Sequence, residues 1–591
     1  MTGDLFTSVG VGVFRTSSKL VRTFSGNRRA RKPFRAPKPH QPHAPTSIAN
    51  VDKALKVLEG ERPFWALTTS SDRVQLLEQC IERMLRATED VVERTVEAKG
   101  SYEGGKGEER MAWASVLFAT RHVVACIKAD YKPSVLRTRR NEDTDQVICQ
   151  TFPSALTDKI AWFGVKGEVW LEPGKEFSQG LDKTVGVRDS SLWLVLAAGN
   201  QTPAVVGDLL HCLFMKNAVV ICKLNPINDY LGPVLEDCFK PLVDKGVLRF
   251  VYGGCEIGAH LCTHDLVQEI HMTGSTATFD AIMWMGGPKV GKPKLNKPVH
   301  GELGSVSPYV IVPGHWSDDE LDFQARQLVS AKVHNCGHNC LAMEVLVMPQ
   351  SWHLREKFIE RVKFHLNKAI TRVPWYPHSD KKYKSFLDRF PNAELIGETN
   401  DTTGQCAFAF AQNLTPDEAS TEIENWMGVF QEVCVPYADV PQYLAEAAAF
   451  CNDKLWGNLS CAVIVDNKTQ AKYRKEVGAF IGSLKYGCVA VNLPAIVGFG
   501  VPSLTWGAFP GNDVMDISSG NCIVHNTSCV RHVQKSVLYG PWKAPVYPVW
   551  NFDNTNLESI SKAAAVYFAY PSIVTLAPLA YQALVGQGCE Y

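Results

Sequence analysis

Two short stretches carry the side chains that acyl chemistry on a thiol requires. Glu302 lies in HGELGSVSP, a carboxylate in a Gly-flanked turn, and Cys340 ends HNCGHNC, a helix length further on. A thiol can attack a carbonyl carbon, and a positioned carboxylate can then activate water against the acyl group the sulfur holds. Each residue alone also has a plainer reading: Cys340 as a small buried apolar side chain, Glu302 as a helix-capping or ion-paired carboxylate. His334, Cys336, His338 and Cys340 crowd together as zinc ligands do, but no second ligand pair stands at a suitable spacing. No metal is expected.

Both groups need elements to hold them, and a chain of 591 residues has room for two to four domains. Its 61 basic and 61 acidic residues cancel, which gives no reason to expect nucleic acid as a partner. The 18 cysteines follow no repeated spacing, so a reducing compartment is expected rather than a disulfide framework. The first 46 residues stand apart: rich in Arg, Lys, Ser and Thr, with no acidic residue after Asp4, and ending in a Pro/His run that reads as a linker. That composition suits either a mitochondrial targeting segment or a basic tail on a cytoplasmic protein.

From Ile48 to about Ala129 the apolar spacing is helical, and residues 144 to 189 read as short strands and turns. Four apolar runs of strand length follow (SLWLVLAAG, NAVVICKL, VLRFVYGG, LVQEIHMTGS), the first three alternating with helical segments, as a parallel sheet with helices on both faces requires. Ligands of such sheets bind beyond the carboxyl ends of the strands. That places Asn200 to Pro203, Lys223 to Pro226 and Thr273 to Thr276 at one mouth. Gly274, Ser275 and Thr276 appear there at the start of a helix, as a phosphate cradle or as an ordinary turn and N-cap; Lys223 is either a snorkelling side chain or a ligand for ribose and phosphate. A second α/β alternation begins after Glu302, and the Gly-, Pro- and aromatic-rich stretch from 494 to 511 suits a loop lining an apolar pocket. Residues 563 to 589 carry no charge, but Pro571 and Pro578 interrupt them, so they are expected to pack on the body or on a neighbouring subunit, with membrane contact the less favoured reading.

Taken jointly and in order, these residues resemble the aldehyde dehydrogenase superfamily over about residues 50 to 535. Glu302 in ELGSVSP resembles the family's Glu-Leu-Gly-Gly segment, which holds the general base, and Cys340 fits the nucleophile of its Asn-x-Gly-x-x-Cys pattern. Asn200 in GNQTP resembles the asparagine that supplies an oxyanion donor, with one extra residue before Pro203. Lys223 and Gly274-Ser275-Thr276 fit the nucleotide-binding positions, and Glu432 in Glu-Val-Cys-Val-Pro resembles the glutamate of Glu-x-Phe-Gly-Pro that grips the nicotinamide ribose. Three departures fall on the cofactor side: Phe279 stands where the family commonly has glycine, Pro226 replaces the glutamate that favours NAD, and Cys434 replaces an aromatic residue.

The resemblance implies an aldehyde dehydrogenase-like α/β fold with two doubly wound parallel-sheet domains and a small bridging or oligomerisation sheet. Residues 1–46 form the basic extension, 47–143 a helical lead-in, 144–189 the bridging segment, 190–300 the cofactor-binding domain, 301–512 the catalytic domain and 513–591 a C-terminal bridging region and tail. It implies an aldehyde substrate, NAD or NADP as cofactor, and a homodimer or homotetramer. Cys340 would form a thioester, with the oxyanion held by Asn200 and the Cys340 N–H, and Glu302 would activate the water that releases the acid. Two other readings stay open: a relative that exchanges the acyl group with coenzyme A, and a silent scaffold with the same fold.

Overall fold

The computed structural model describes residues 34–38, 40–141, 144–181 and 190–588. Most of the expected targeting segment lies outside these. The Pro/His run expected as a linker is instead fastened to the body: Arg35 and Ser101 exchange backbone bonds of 2.8 and 2.9 Å, and the His43 N–H donates to Asp229 at 3.0 Å. His40 pairs with the buried Asp229 carboxylate as well.

Helices α1 (Ile48–Ala66), α2 (Ser70–Arg86), α3 (Thr88–Lys99) and α4 (Gly105–Lys128) form the lead-in. Ser47 and Thr69 cap the first two, each accepting a backbone N–H of the first turn, which is why the helices start there. Strands β1 (Arg137–Asn141), β2 (Gln146–Phe152) and β3 (Lys166–Leu171) follow. The next five, β4 (Leu192–Leu196), β5 (Val219–Lys223), β6 (Leu248–Val251), β7 (Glu269–Thr273) and β8 (Val299–Glu302), make a parallel sheet in the order β6-β5-β4-β7-β8. β5 is buried along its whole length, as a strand covered on both faces must be, and this is why it reads as an unbroken apolar run. Helix α5 (Thr202–Leu210) leaves the end of β4 and continues into a π-helical turn over His211–Met215; α6 (Thr276–Met283) leaves β7.

The catalytic half begins with β9 (Pro308–Ile311) and α7 (Asp318–Val333), whose start is fixed by a Ser317–Glu320 capping box. Strands β10 (Val345–Pro349), β11 (Glu394–Ile396), β12 (Phe408–Leu414), β13 (Val429–Val435), β14 (Ser460–Ile464) and β15 (Cys488–Val491) follow, then the hairpin of β16 (Thr505–Gly507) with β17 (Ile523–His525), and β18 (Val533–Tyr539). All but that hairpin join one eleven-stranded sheet, β1-β2-β3-β18-β15-β14-β9-β10-β13-β12-β11. The expected bridging strands are therefore continuous with this sheet: β3 pairs antiparallel with β18, whose edge would otherwise be open.

The uncharged stretch supplies the second half of α8 (Leu557–Ala569) and the whole of α9 (Ile573–Val585). α8 lies along α4 closely enough that a Cβ on Gly107 would meet the Leu557 side chain at 2.8 Å. Arg110 and Arg121 of α4 donate to Ser561 at 3.4 Å and to the Ala569 carbonyl at 2.9 Å. No helix among the described residues is long and apolar enough to cross a membrane.

Candidate active site

After α7 the chain turns through Asn335, Cys336 and Gly337, all left-handed, at φ of 52°, 56° and 73°. Such backbone costs about 1–2 kcal/mol for each residue that carries a Cβ. The Asn335 amide offsets the cost by donating to the Asn200 carbonyl at 2.9 Å and the His338 carbonyl at 3.1 Å. Only glycine fits at 337, where a Cβ would fall 2.2 Å from the Met427 carbonyl oxygen. The turn delivers Cys340, partly buried, to within 3.7 Å of Glu302, its Sγ facing Oε1.

Glu302 ends β8 rather than sitting in a free turn. Its position is braced from the other sheet's loops: the Gly301 N–H donates to Asn521 Oδ1 at 2.8 Å and the Leu303 N–H to the Ser519 carbonyl at 2.9 Å. The carboxylate is 4 % exposed and accepts the Trp506 indole N–H at 3.0 Å. Burial raises its pKa to about 7, helped by the charge of Asp208 and opposed by the indole donor. Burial, then the Glu302 charge, pushes the Cys340 thiol well above its ordinary value, so the resting sulfur carries its proton.

Asp208 comes from α5 and is buried beneath the site, accepting from Thr273 Oγ1 at 3.0 Å and pairing with His271 Nε2 at 2.9 Å. Asn200 follows β4; one of its amide hydrogens goes to the His338 carbonyl at 3.1 Å, which leaves the other for a ligand.

On the nucleotide side the donor set fits a phosphorylated, ribose-bearing cofactor. Lys223 ends β5 and is 9 % exposed, with a single long bond of 3.4 Å to the Leu224 carbonyl; burial lowers its pKa. Thr276 Oγ1 at the start of α6 is buried without a partner. The two residues before it are committed: Ser275 caps the helix through the Thr278 N–H at 3.2 Å, and the Gly274 N–H donates to the Glu302 carbonyl at 3.1 Å. Phe279 turns its ring inward onto Gly301 and is 1 % exposed, so it packs α6 against β8 instead of filling the helix mouth.

Glu432 does not belong to this group. It lies in the middle of β13, fully buried, with Arg355 on both carboxylate oxygens at 2.8 Å and the Asn413 N–H at 3.0 Å. Three donors thus occupy most of the acceptor capacity of a carboxylate that is already neutralised by Arg355. The carboxylate on this side is Glu424, eight residues earlier, which accepts the Ser305 N–H at 3.1 Å; burial raises its pKa to about 7, and its charge adds to the upward pressure on Cys340. Trp506, Asp208 and Glu424 were all missed from sequence.

Cys340, Glu302 and Asn200 open onto one cavity of about 820 Å³. Ile496, Val497 and Phe499 from the expected pocket loop contribute to its wall.

A family model described as the aldehyde dehydrogenase family matches residues 203–380. A D-glyceraldehyde dehydrogenase (NADP(+)) of Thermoplasma acidophilum is 33 % identical over 162 residues, 26 % of this chain and 30 % of that protein. A peroxisomal aminoaldehyde dehydrogenase 2 of Pisum sativum is 28 % identical over 245 residues, 39 % of this chain and 45 % of that protein. The chain thus spans less than half the length of each of these relatives. Among solved structures, a Mycobacterium tuberculosis aldehyde dehydrogenase complexed with NAD+ matches with a TM-score of 0.59 at 15 % identity, covering 84 % of this chain and 91 % of that one. An NADP-dependent glyceraldehyde-3-phosphate dehydrogenase from Bacillus halodurans, complexed with NADP, matches with a TM-score of 0.57 at 16 % identity, covering 84 % and 92 %.

Proposed function

We propose that this chain, whose residues 203–380 match the aldehyde dehydrogenase family model, is a member of that superfamily and oxidises an aldehyde to a carboxylic acid with NAD or NADP as the acceptor. The observation that carries the reading is the pairing of Cys340 with Glu302 at 3.7 Å, at the head of a cavity shared with Asn200.

Cys340 Sγ attacks the aldehyde carbon as its proton passes to Glu302, a base whose pKa near 7 suits both directions of transfer. The carbonyl electron pair moves onto oxygen, where the uncommitted Asn200 amide hydrogen and the Cys340 N–H hold it. Donors placed this way are worth ~3 kcal/mol each. Lys223 and Thr276 Oγ1 would hold a nicotinamide cofactor, which when bound would supply the hydride acceptor for collapse of the adduct on Cys340 to a thioester. Once Glu302 has released the thiol's proton to solvent, its carboxylate removes a proton from water as the water oxygen adds to the thioester carbon, and that proton returns to the sulfur as it leaves as the thiol. Retention of Glu302 beside the sulfur favours water over coenzyme A as the acyl acceptor.

Release of the acid needs the Glu302 carboxylate, so the rate is expected to rise with pH through about 7. The indole donor holds that value down, so Trp506→Phe is expected to move the acid limb upward. A hydrogen bond to a charged group is worth about 1.5–3 kcal/mol, which corresponds to roughly one to two pH units. A pH profile of steady-state turnover in both proteins checks this; an unmoved limb removes Trp506 from the account.

The reading itself is tested by the absorbance of the reduced nicotinamide on mixing the protein with an aldehyde panel and NAD or NADP, with and without coenzyme A. Reduction with one cofactor, independent of coenzyme A, is the expected result; no reduction and no binding of either cofactor leaves only the scaffold reading. Assembly as a homodimer or homotetramer, through the 144–189 segment and the tail, belongs to the same proposal and is read by light scattering. A mitochondrial or cytoplasmic location rests on residues 1–46, mostly outside the described residues.

A further inference from the structure

The tail helix α9 faces a hollow where an ordinary surface helix faces a core. Leu576, Leu579, Ala580, Ala583 and Leu584 line the same cavity that opens at Cys340, Glu302 and Asn200. They recur at intervals of three and four, which makes them one complete helix face, and every one is apolar. Of the helix, only Leu576 is buried. The opposite wall is built on α4, where Met111, Ser115 and Phe118 line the cavity.

A void of about 820 Å³ stands in the upper part of the range of about 300–1,000 Å³ occupied by ligand sites. An aldehyde of two or three carbons would fill little of it. Besides Glu302, the Asp, Glu, Lys and Arg side chains that line the wall are Glu103, Glu108, Lys368, Arg372, Asp553 and Glu558; Glu108 pairs with Arg372 at 3.2 Å, and Asp553 with Arg326 behind the wall at 3.8 Å. α9 itself carries no charged side chain, so the face it turns to the cavity offers nothing to anchor a phosphate, a carboxylate or an amine. What such a wall recognises is hydrocarbon, by the area it removes from water.

We propose that the substrate is a long, unbranched aliphatic aldehyde whose carbonyl lies at Cys340 and whose chain runs between α4 and the inner face of α9. This rests on the dehydrogenase reading above and names the substrate class for that same site. The chemistry is unchanged along the series, so chain length acts through burial alone. Each methylene removed from water raises kcat/KM about fourfold until the cavity is full.

The test is kcat/KM for straight-chain aldehydes from propanal to hexadecanal, in the wild type and in Ala583→Trp, which places an indole in the cavity under α9. The expected result is a steep rise with length in the wild type, and in the variant a fall of at least tenfold in the ratio of the dodecanal value to the propanal value. A flat or falling wild-type series overturns the proposal, as does a variant that lowers all lengths equally. In parallel, the Cys340→Ala protein is titrated with dodecanol and with propanol, a measurement that needs no turnover. Dodecanol binding at least a hundredfold tighter, weakened when Ala583→Trp is added, supports the assignment even if no aldehyde is oxidised, in which case the dehydrogenase reading alone has failed. Turnover of short aldehydes together with equal binding of the two alcohols sinks the chain-length assignment and leaves the dehydrogenase reading standing.

Discussion

Cys340→Ala is expected to lower aldehyde oxidation on the order of 10⁴-fold or more, because among the described residues Cys340 is the only thiol that lines the cavity shared with Asn200. The loss should be confined to chemistry. Cys340 is only partly buried, so removing one sulfur should cost about 1 kcal/mol of stability or less, and the cofactor residues lie elsewhere, Lys223 at the end of a strand of the five-stranded sheet and Thr276 at the start of α6. Stopped-flow absorbance of the reduced nicotinamide, alongside thermal unfolding and cofactor titration, separates the two effects. Activity that survives above about one hundredth of the wild type would mean that the nucleophile has been misassigned.

Glu302→Gln is expected to divide the reaction. The amide oxygen can still accept the Trp506 N–H, so the pocket keeps its shape, but no base is left to activate water. One equivalent of reduced cofactor should appear, slowed by the loss of the proton acceptor 3.7 Å from the thiol, and steady-state turnover should then fall about 10²–10⁴-fold. Mass spectrometry of the quenched protein should find the acyl group on Cys340. Turnover at the wild-type rate would show that water is activated elsewhere; a product released only with coenzyme A would change the acceptor.

The first two cofactor-side strands, β4 and β5, were legible because each is short, buried along nearly its whole length and almost wholly apolar; β6 and β7, which carry Arg249, Glu269 and His271, were legible as the next members of the same alternation. β8 was not, since VHGE is four residues long and half polar, and only pairing with β7 makes it a strand. Cys340 and Glu302 could be read from local spacing. The partners that tune them could not: Trp506 comes from a hairpin more than 200 residues beyond Glu302, and Asp208 looks like the solvent face of an apolar helix until its burial under Thr273 is seen. Glu432 failed for a different reason. A short pattern with two substitutions fits several registers, and the ion pair with Arg355 that fixes the true one lies 77 residues away in sequence.

Glu302 closes a strand of the five-stranded sheet, while Cys340 hangs from a helix of the eleven-stranded one. The gap between sulfur and carboxylate is therefore also a gauge of how the two sheets are set against each other, and Asn521 and Ser519 act as the clamp that zeroes it. A motion that opened one half from the other would separate acid from thiol before it disturbed either sheet. Reactivity at this cysteine is thus tied to the closed posture of the whole molecule.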